Sequence, residues 1–288
     1  MDPRYAWVLN LDADLELARG AGYSPSSGVA RAMDAFAGRL RDSLVGLRDI
    51  VVDASSREGS AAGFVGRAFC PTPGAIAMLV RAGADPEPHP PVDVLRRVAS
   101  RAFSASLGST MPKEAFVTRL DEARALLRTD PAPGNGWRIK RAFGMAGRGH
   151  RVVQAAPRDA DVAFLASWIA EGVHIEPNVR IASEYALHGR LSRDGSVRLG
   201  ALTRQRTDPR GAWVSSERVA DGPEDVTAAL DAEARRAARA LADAGHFGPF
   251  GVDAFTYEGE DGRIVLRARS EINPRYSMGF GVGFGDSR

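Results

Sequence analysis

The chain has 288 residues, 44% hydrophobic and 26% charged, with 38 basic and 36 acidic side chains and one cysteine. That composition excludes a disordered or disulfide-stapled protein and allows about two domains of roughly 150 residues. A net charge of +2 with acids scattered among the bases argues against a nucleic-acid footprint, and no apolar run approaches the roughly 18 residues of a membrane span.

Met1–Tyr5 lacks a basic leader followed by an apolar stretch, and Cys70 is a lone thiol; both predict a soluble cytoplasmic protein. Trp7–Leu11 reads as a first strand that runs into Asp12, Asp14 and Glu16 instead of a G-x-G-x-x-G cradle, which argues against dinucleotide binding. Ser24–Ser27 offers capping chemistry for an amphipathic helix through Val29, Met33, Phe36 and Leu40. Strands over Asp49–Asp53 and Gly63–Phe69 and a helix over Ala75–Ala82 complete a small open α/β domain, residues 1–90. Four prolines within Asp85–Pro91 mark its boundary. A helical linker, 91–128, follows: one helix over Val92–Leu107, a short strand over Ala115–Thr118 and a helix over Asp121–Arg128.

Lys113 and Lys140 are the two lysines among the 38 basic residues. A chain that writes positive charge as arginine keeps lysine where a compact point charge is needed. Strand alternation sets Arg138 and Lys140 opposite Trp137 and Ile139 and delivers Lys140 to the foot of Gly144-Met145-Ala146-Gly147-Arg148-Gly149, after which Arg151–Val153 returns. Such a hairpin lets backbone N–H groups approach polyphosphate oxygens, although a tight turn has the same pattern. The order excludes a P-loop, whose lysine follows the glycines, and a protein kinase, whose lysine lies on a later strand. Lys113 reads as the start of a strand. Glu176 and Glu184, eight residues apart, read by themselves as surface acids.

Near the C-terminus, Phe247–Phe255 and Ile264–Arg275 flank a turn at Glu260–Arg263. In regular β geometry Arg267, Arg269, Glu271, Asn273 and Arg275 share one face, and Asp253 adds a carboxylate from the paired strand. Two carboxylates and an amide oxygen suit Mg²⁺; a solvated sheet edge is the alternative. The length of this hairpin demands a bulge or an overhanging turn. Arg204–Arg206 reads as a solvated strand end, Ala228–Ala244 as a covering helix and Gly279–Gly285 as a flexible tail. The five histidines read as surface or packing residues, and Cys70 as an ordinary buried cysteine.

Taken in order, these segments resemble the ATP-grasp superfamily of carboxylate–amine and carboxylate–thiol ligases. The resemblance implies an α/β ATP-grasp fold, two α+β subdomains gripping ATP, preceded by a small open-sheet α/β pre-ATP-grasp domain. Residues 129–175 would form the small subdomain and 176–288 the large one. By the same resemblance Lys140 would hold the α/β phosphates, Gly144, Gly147 and Gly149 would cover them, Glu176 would meet adenine at the hinge, and Glu184 would bond the ribose hydroxyls. Asp253, Glu271 and Asn273 match Mg²⁺ ligands, and Arg275 matches an arginine that steadies an acyl phosphate. Arg101 stands where members commonly carry a second phosphate lysine. The implied activity joins a small-molecule carboxylate to an amine, such as an amino acid, with ATP and Mg²⁺, through an acyl phosphate and with release of ADP. No nucleic-acid or membrane partner is expected, and a homodimer is allowed. The alternative is a non-catalytic ATP-binding module.

Overall fold

The computed structural model describes residues 3–145, 148–154, 159–208, 213–220 and 222–284. Three sheets follow one another along the chain. The first holds β1 (Tyr5–Val8), β2 (Ile50–Val51), β3 (Val65–Ala68) and β4 (Asp85–Pro86), all parallel, in the order β2-β1-β3-β4. The acids after β1 start a helix, α1 (Ala13–Arg19), with Asp14 and Glu16 in its first turn where carboxylates meet unpaired N–H groups. Ser26 and Thr72 cap α2 (Ser27–Leu44) and α3 (Pro73–Arg81), their hydroxyls accepting from the Val29 and Ala75 N–H groups. Ala6, Val8, Ala75 and Leu79 close the core of this layer.

The single helix expected over Val92–Leu107 is two: α4 (Val92–Ala99) and α5 (Arg101–Ser106). Ser100 ends the first with an extended backbone and caps the second through its hydroxyl, which accepts from the Ala102 N–H at 3.2 Å. Arg101 thereby opens α5.

The second sheet is antiparallel, in the order β5-β8-β6-β7. It comprises β5 (Ala115–Val117), β6 (Trp137–Met145), β7 (Arg148–Val153) and β8 (Val173–Pro177), with α6 (Leu120–Leu127) and α7 (Asp159–Trp168) on one face. Trp137, Ile139 and Ile175 are fully buried against Ala123, Leu127 and Leu165 of those helices. The alternation that buries Trp137 and Ile139 turns Arg138 and Lys140 to the opposite face.

The third sheet runs β12-β11-β9-β13-β14, with β10 on the end of β9. Its strands are β9 (Ile181–Leu191), β10 (Val197–Leu199), β11 (Thr203–Thr207), β12 (Trp213–Arg218), β13 (Gly248–Glu258) and β14 (Ile264–Asn273). One face packs on α8 (Glu224–Asp243) through Leu187, Val252 and Ile272 against Leu230, Ala234 and Leu241. The opposite face looks toward the second sheet.

The glycine-rich end departs from the expected flexible tail. Phe280–Phe284 forms a short helix, α9, with Phe280 4.8 Å from the Tyr276 ring and 4.5 Å from the Phe284 ring. Its glycines permit close packing: a Cβ on Gly281 would lie 2.0 Å from the Ser43 carbonyl of α2. Among the described residues, no helix is long and apolar enough to cross a membrane.

Candidate functional site

Between the second and third sheets lies a buried set of charges that begins at Lys140. β6 sends its Nζ to Glu176 Oε1 of β8, 2.7 Å away. The other Glu176 oxygen takes Arg267 of β14 at 2.8 Å and His174 at 3.3 Å. Arg267, 1% exposed, also bonds Glu114, which stands just before β5. Burial alone would raise the Glu176 carboxyl, but the charges of Arg267 and Lys140 outweigh it and hold the group well below the usual range. For Glu114 burial is likewise outweighed, by the His174 hydrogen bond and the Arg267 charge, leaving it at about 2. Lys140 is pushed down by burial against the pull of Glu176.

Ligand atoms of Glu114, His174 and Glu176 lie within 4.8 Å of one another, a spacing that suits a metal. Arg267 already bonds both carboxylates and Lys140 bonds one of them, so the positive charge is supplied by side chains. This group is an ion-pair cluster. His174 thus departs from the packing role expected of it, since it bridges two acids.

A second set lies on the same face of the third sheet. Asp253 of β13 and Glu271 of β14 are direct cross-strand partners. Asp253 accepts from Gln205 at 3.1 Å and from the Asn273 amide at 2.9 Å. Burial and the neighbouring Glu271 charge push Asp253 up to about 6. Two facing carboxylates beside an amide oxygen form a hard donor set whose repulsion a divalent cation would relieve, so Asp253, Glu271 and Asn273 fit Mg²⁺. Glu271 meanwhile holds Arg101 at 2.7 Å, and the same guanidinium donates to the Arg141 carbonyl at 2.7 Å. One arginine from α5 therefore ties β14 to the strand that carries Lys140.

Regular alternation does not continue along β14. Phe255 pairs with Arg267 and Asp253 with Glu271, so a step of two on β13 spans four on β14. The bulge keeps Arg267 and Glu271 on the site face and ejects Arg269, which bonds Glu233 of α8 and the Gly108 carbonyl. Arg269 thus does not share the face expected for it.

No family model matches the sequence, and no curated protein matches it. Solved structures do match in shape. N5-carboxyaminoimidazole ribonucleotide synthetase from Thermus thermophilus aligns over 94% of this chain and 71% of its own, at 19% identity and a TM-score of 0.52. Biotin carboxylase from Campylobacter jejuni, in a complex with β,γ-ATP, aligns over 100% and 72%, at 12% identity and 0.56. D-alanyl-alanine synthetase A from Vibrio cholerae aligns over 98% and 91%, at 12% identity and 0.54. The chain has the ATP-grasp fold.

Within this ATP-grasp fold the remaining expected residues fall as follows. Gly144 lies in β6, and Gly149 in β7 adopts φ +84°, a left-handed backbone that favours glycine; Gly147 lies outside the described residues. Glu184 sits on β9 opposite both Gln205 and Phe255 and accepts from the Thr207 hydroxyl. Arg275 reaches back to Asp14 of α1, with contacts of 2.6 and 3.2 Å, while its charge still acts on Asp253 and Glu271. Burial opposes its charge and Asp14 outweighs that, raising its pKa further. Cys70 is buried, and burial pushes its thiol up, in keeping with an inert residue. Lys113 precedes β5 at φ +61° and pairs with Asp130, away from the site. Sequence reasoning missed Glu114 and Gln205; Gln205 lay in a strand end read as solvated, flanked by two arginines that are indeed exposed.

Proposed function

We propose that the protein is an ATP-dependent ligase that joins a carboxylate to an amine, reading 1–90 as a pre-ATP-grasp domain, 91–128 as the linker, 129–175 as the small subdomain and 176–288 as the large one. The observation that carries this is the Arg101 bridge: Lys140's strand and Glu271, 131 residues apart in sequence, meet at one guanidinium, within the span of a triphosphate. Lys140 and Arg101 would neutralise the phosphates, and the hairpin of Gly144, Gly147 and Gly149 would cover them. Glu176 and Glu184 would meet the nucleoside. Asp253, Glu271 and Asn273 would hold Mg²⁺, which when bound neutralises charge on the phosphates.

A carboxylate oxygen of the substrate attacks the γ-phosphorus and the bond to ADP breaks. The amine then attacks the acyl carbon, phosphate leaves, and the amine proton passes to solvent. Arg275 would steady the acyl phosphate beside Asp14. Side chains here position and neutralise; phosphoryl transfer needs little covalent help.

The test is Mg²⁺-dependent ADP release from ATP with pooled amino acids and small carboxylates, beside Glu271→Gln. Turnover that requires both the pool and Glu271 supports the ligase. One observation favours a second reading, an ATP-binding module without turnover: Arg101 already occupies Glu271. That reading expects Mg-ATP to raise the melting temperature with no ADP released under any pool.

A further inference from the structure

A cavity of about 320 Å³ opens between the first and third sheets, with Arg275 and Tyr276 in its wall. Three side chains lining it have no part in the chemistry described above. His246 is 3% exposed, yet neither ring nitrogen has a hydrogen-bond partner. The Pro249 carbonyl lies toward the ring but outside hydrogen-bond geometry. Arg190, half-buried at the end of β9, bonds the Tyr276 hydroxyl and rests over that ring at 5.7 Å. Arg193 lies 4.6 Å over the Phe247 ring. Among the described residues no carboxylate pairs with either arginine. The nearby acids are taken: Glu87 holds Arg67 by two contacts of 3.1 Å, and Asp14 holds Arg275.

Buried polar groups are normally satisfied, so an orphaned histidine beside two acid-free guanidiniums marks a place for an anion. We propose that the cavity receives a second anionic group, a carboxylate or a phosphate, on the substrate whose reacting carboxylate is activated beside Arg275. The substrate is then a dicarboxylate or a phosphorylated carboxylate. This rests on the ligase reading for which end reacts, but not for the binding of the anion. The arginine forks match the planar or tetrahedral oxygens. His246, held at about 4 by burial, is neutral near pH 7 and offers one N–H donor. The cavity's volume sits at the small end of metabolite sites, which suits a short spacer between the two anions.

Calorimetric titration of the whole protein, with Mg²⁺ and a non-hydrolysable ATP analogue present, tests this with three probes: glutarate, 3-phosphonopropionate and butyrate. One dianion should bind at least tenfold more tightly than butyrate, and which one does so identifies the anion. The Arg190→Met/Arg193→Met protein should lose that preference while binding the analogue as before. Arg193→Glu, at an exposed position, should weaken the dianion at least fivefold. Equal binding of butyrate and the dianions, unchanged binding in the variants, or no probe binding with the analogue bound would each overturn the assignment. If the analogue fails to bind but the dianion preference persists and depends on both arginines, the ligase reading falls and the cavity assignment stands.

Discussion

Glu176 has three partners, and their removal is not equivalent. Arg267 bonds both Glu114 and Glu176, so Arg267→Met would leave two buried carboxylates sharing one lysine and the His174 imidazole. Breaking a buried ion pair from one side costs about 3–5 kcal/mol, and urea unfolding should show a loss of that size. Lys140→Met leaves Glu176 still paired, so its stability should change much less while turnover falls by about two orders of magnitude or more. Acid should act in two windows. His188 lies fully buried with its Nδ1 2.9 Å from the Ser277 hydroxyl, and burial lowers it to about 4 from the usual 6.5. The unfolded chain takes up that proton first, so stability is full above 6.5, falls as the pH drops toward 4, and levels below it. Glu114, depressed to about 2, contributes fully above its usual 4.5 and loses that contribution as the pH falls from 4.5 to 2. Unfolding midpoints measured from pH 7.5 to 2.5 should show both limbs, and His188→Gln should flatten part of the upper one alone. Lys140 stood out because a lysine, rare in this chain, precedes the glycines, whereas Glu176 read by itself as a surface acid. Arg267 was placed on the site face, but its partners were not legible, because they lie 91 and 153 residues away and no local spacing reports them.

At the scale of elements, capping chemistry and alternation placed most strands and helices, while two features followed packing instead. The hairpin's length demanded a bulge or an overhanging turn, and the structure has a bulge in β14, yet which arginine it would eject depended on Glu233 waiting on α8. The final helix was hidden because glycine composition reads as flexibility, whereas here small residues allow contact: a Cβ on Gly279 would stand 2.8 Å from His188 Nε2. Phe280 and Phe284, one helical turn apart, were the signal available. Two alanine substitutions separate these roles of glycine. Gly281→Ala must push α9 off the Ser43 carbonyl and should cost about 1–3 kcal/mol. Gly38→Ala lies exposed inside α2 with nothing near its Cβ, so it should add about 0.5–1 kcal/mol. Thermal melts of both variants would check the opposite signs.

Across the whole molecule, the order of a small α/β domain, a helical linker and two hairpins was legible from motif order, whereas the break in the linker helix at Ser100 was not. Which side chains cross between the sheets was not, since that depends on how the layers close. Arg101 is such a crossing: it ties β6 to β14 from a linker helix. Arg101→Met should therefore raise the KM for ATP more than tenfold, and hydrogen exchange should quicken in β6 and α5 of the nucleotide-free variant. Another whole-molecule property lies in the near absence of amines. Lys113 and Lys140 are the two side-chain amines in the chain; one is 38% exposed beside Asp130 and the other 16% exposed beside Glu176. Reductive methylation with isotope-labelled formaldehyde would thus give two side-chain resonances without any mutation. The outer resonance serves as an internal reference, and the inner one reports directly on occupancy of the cleft.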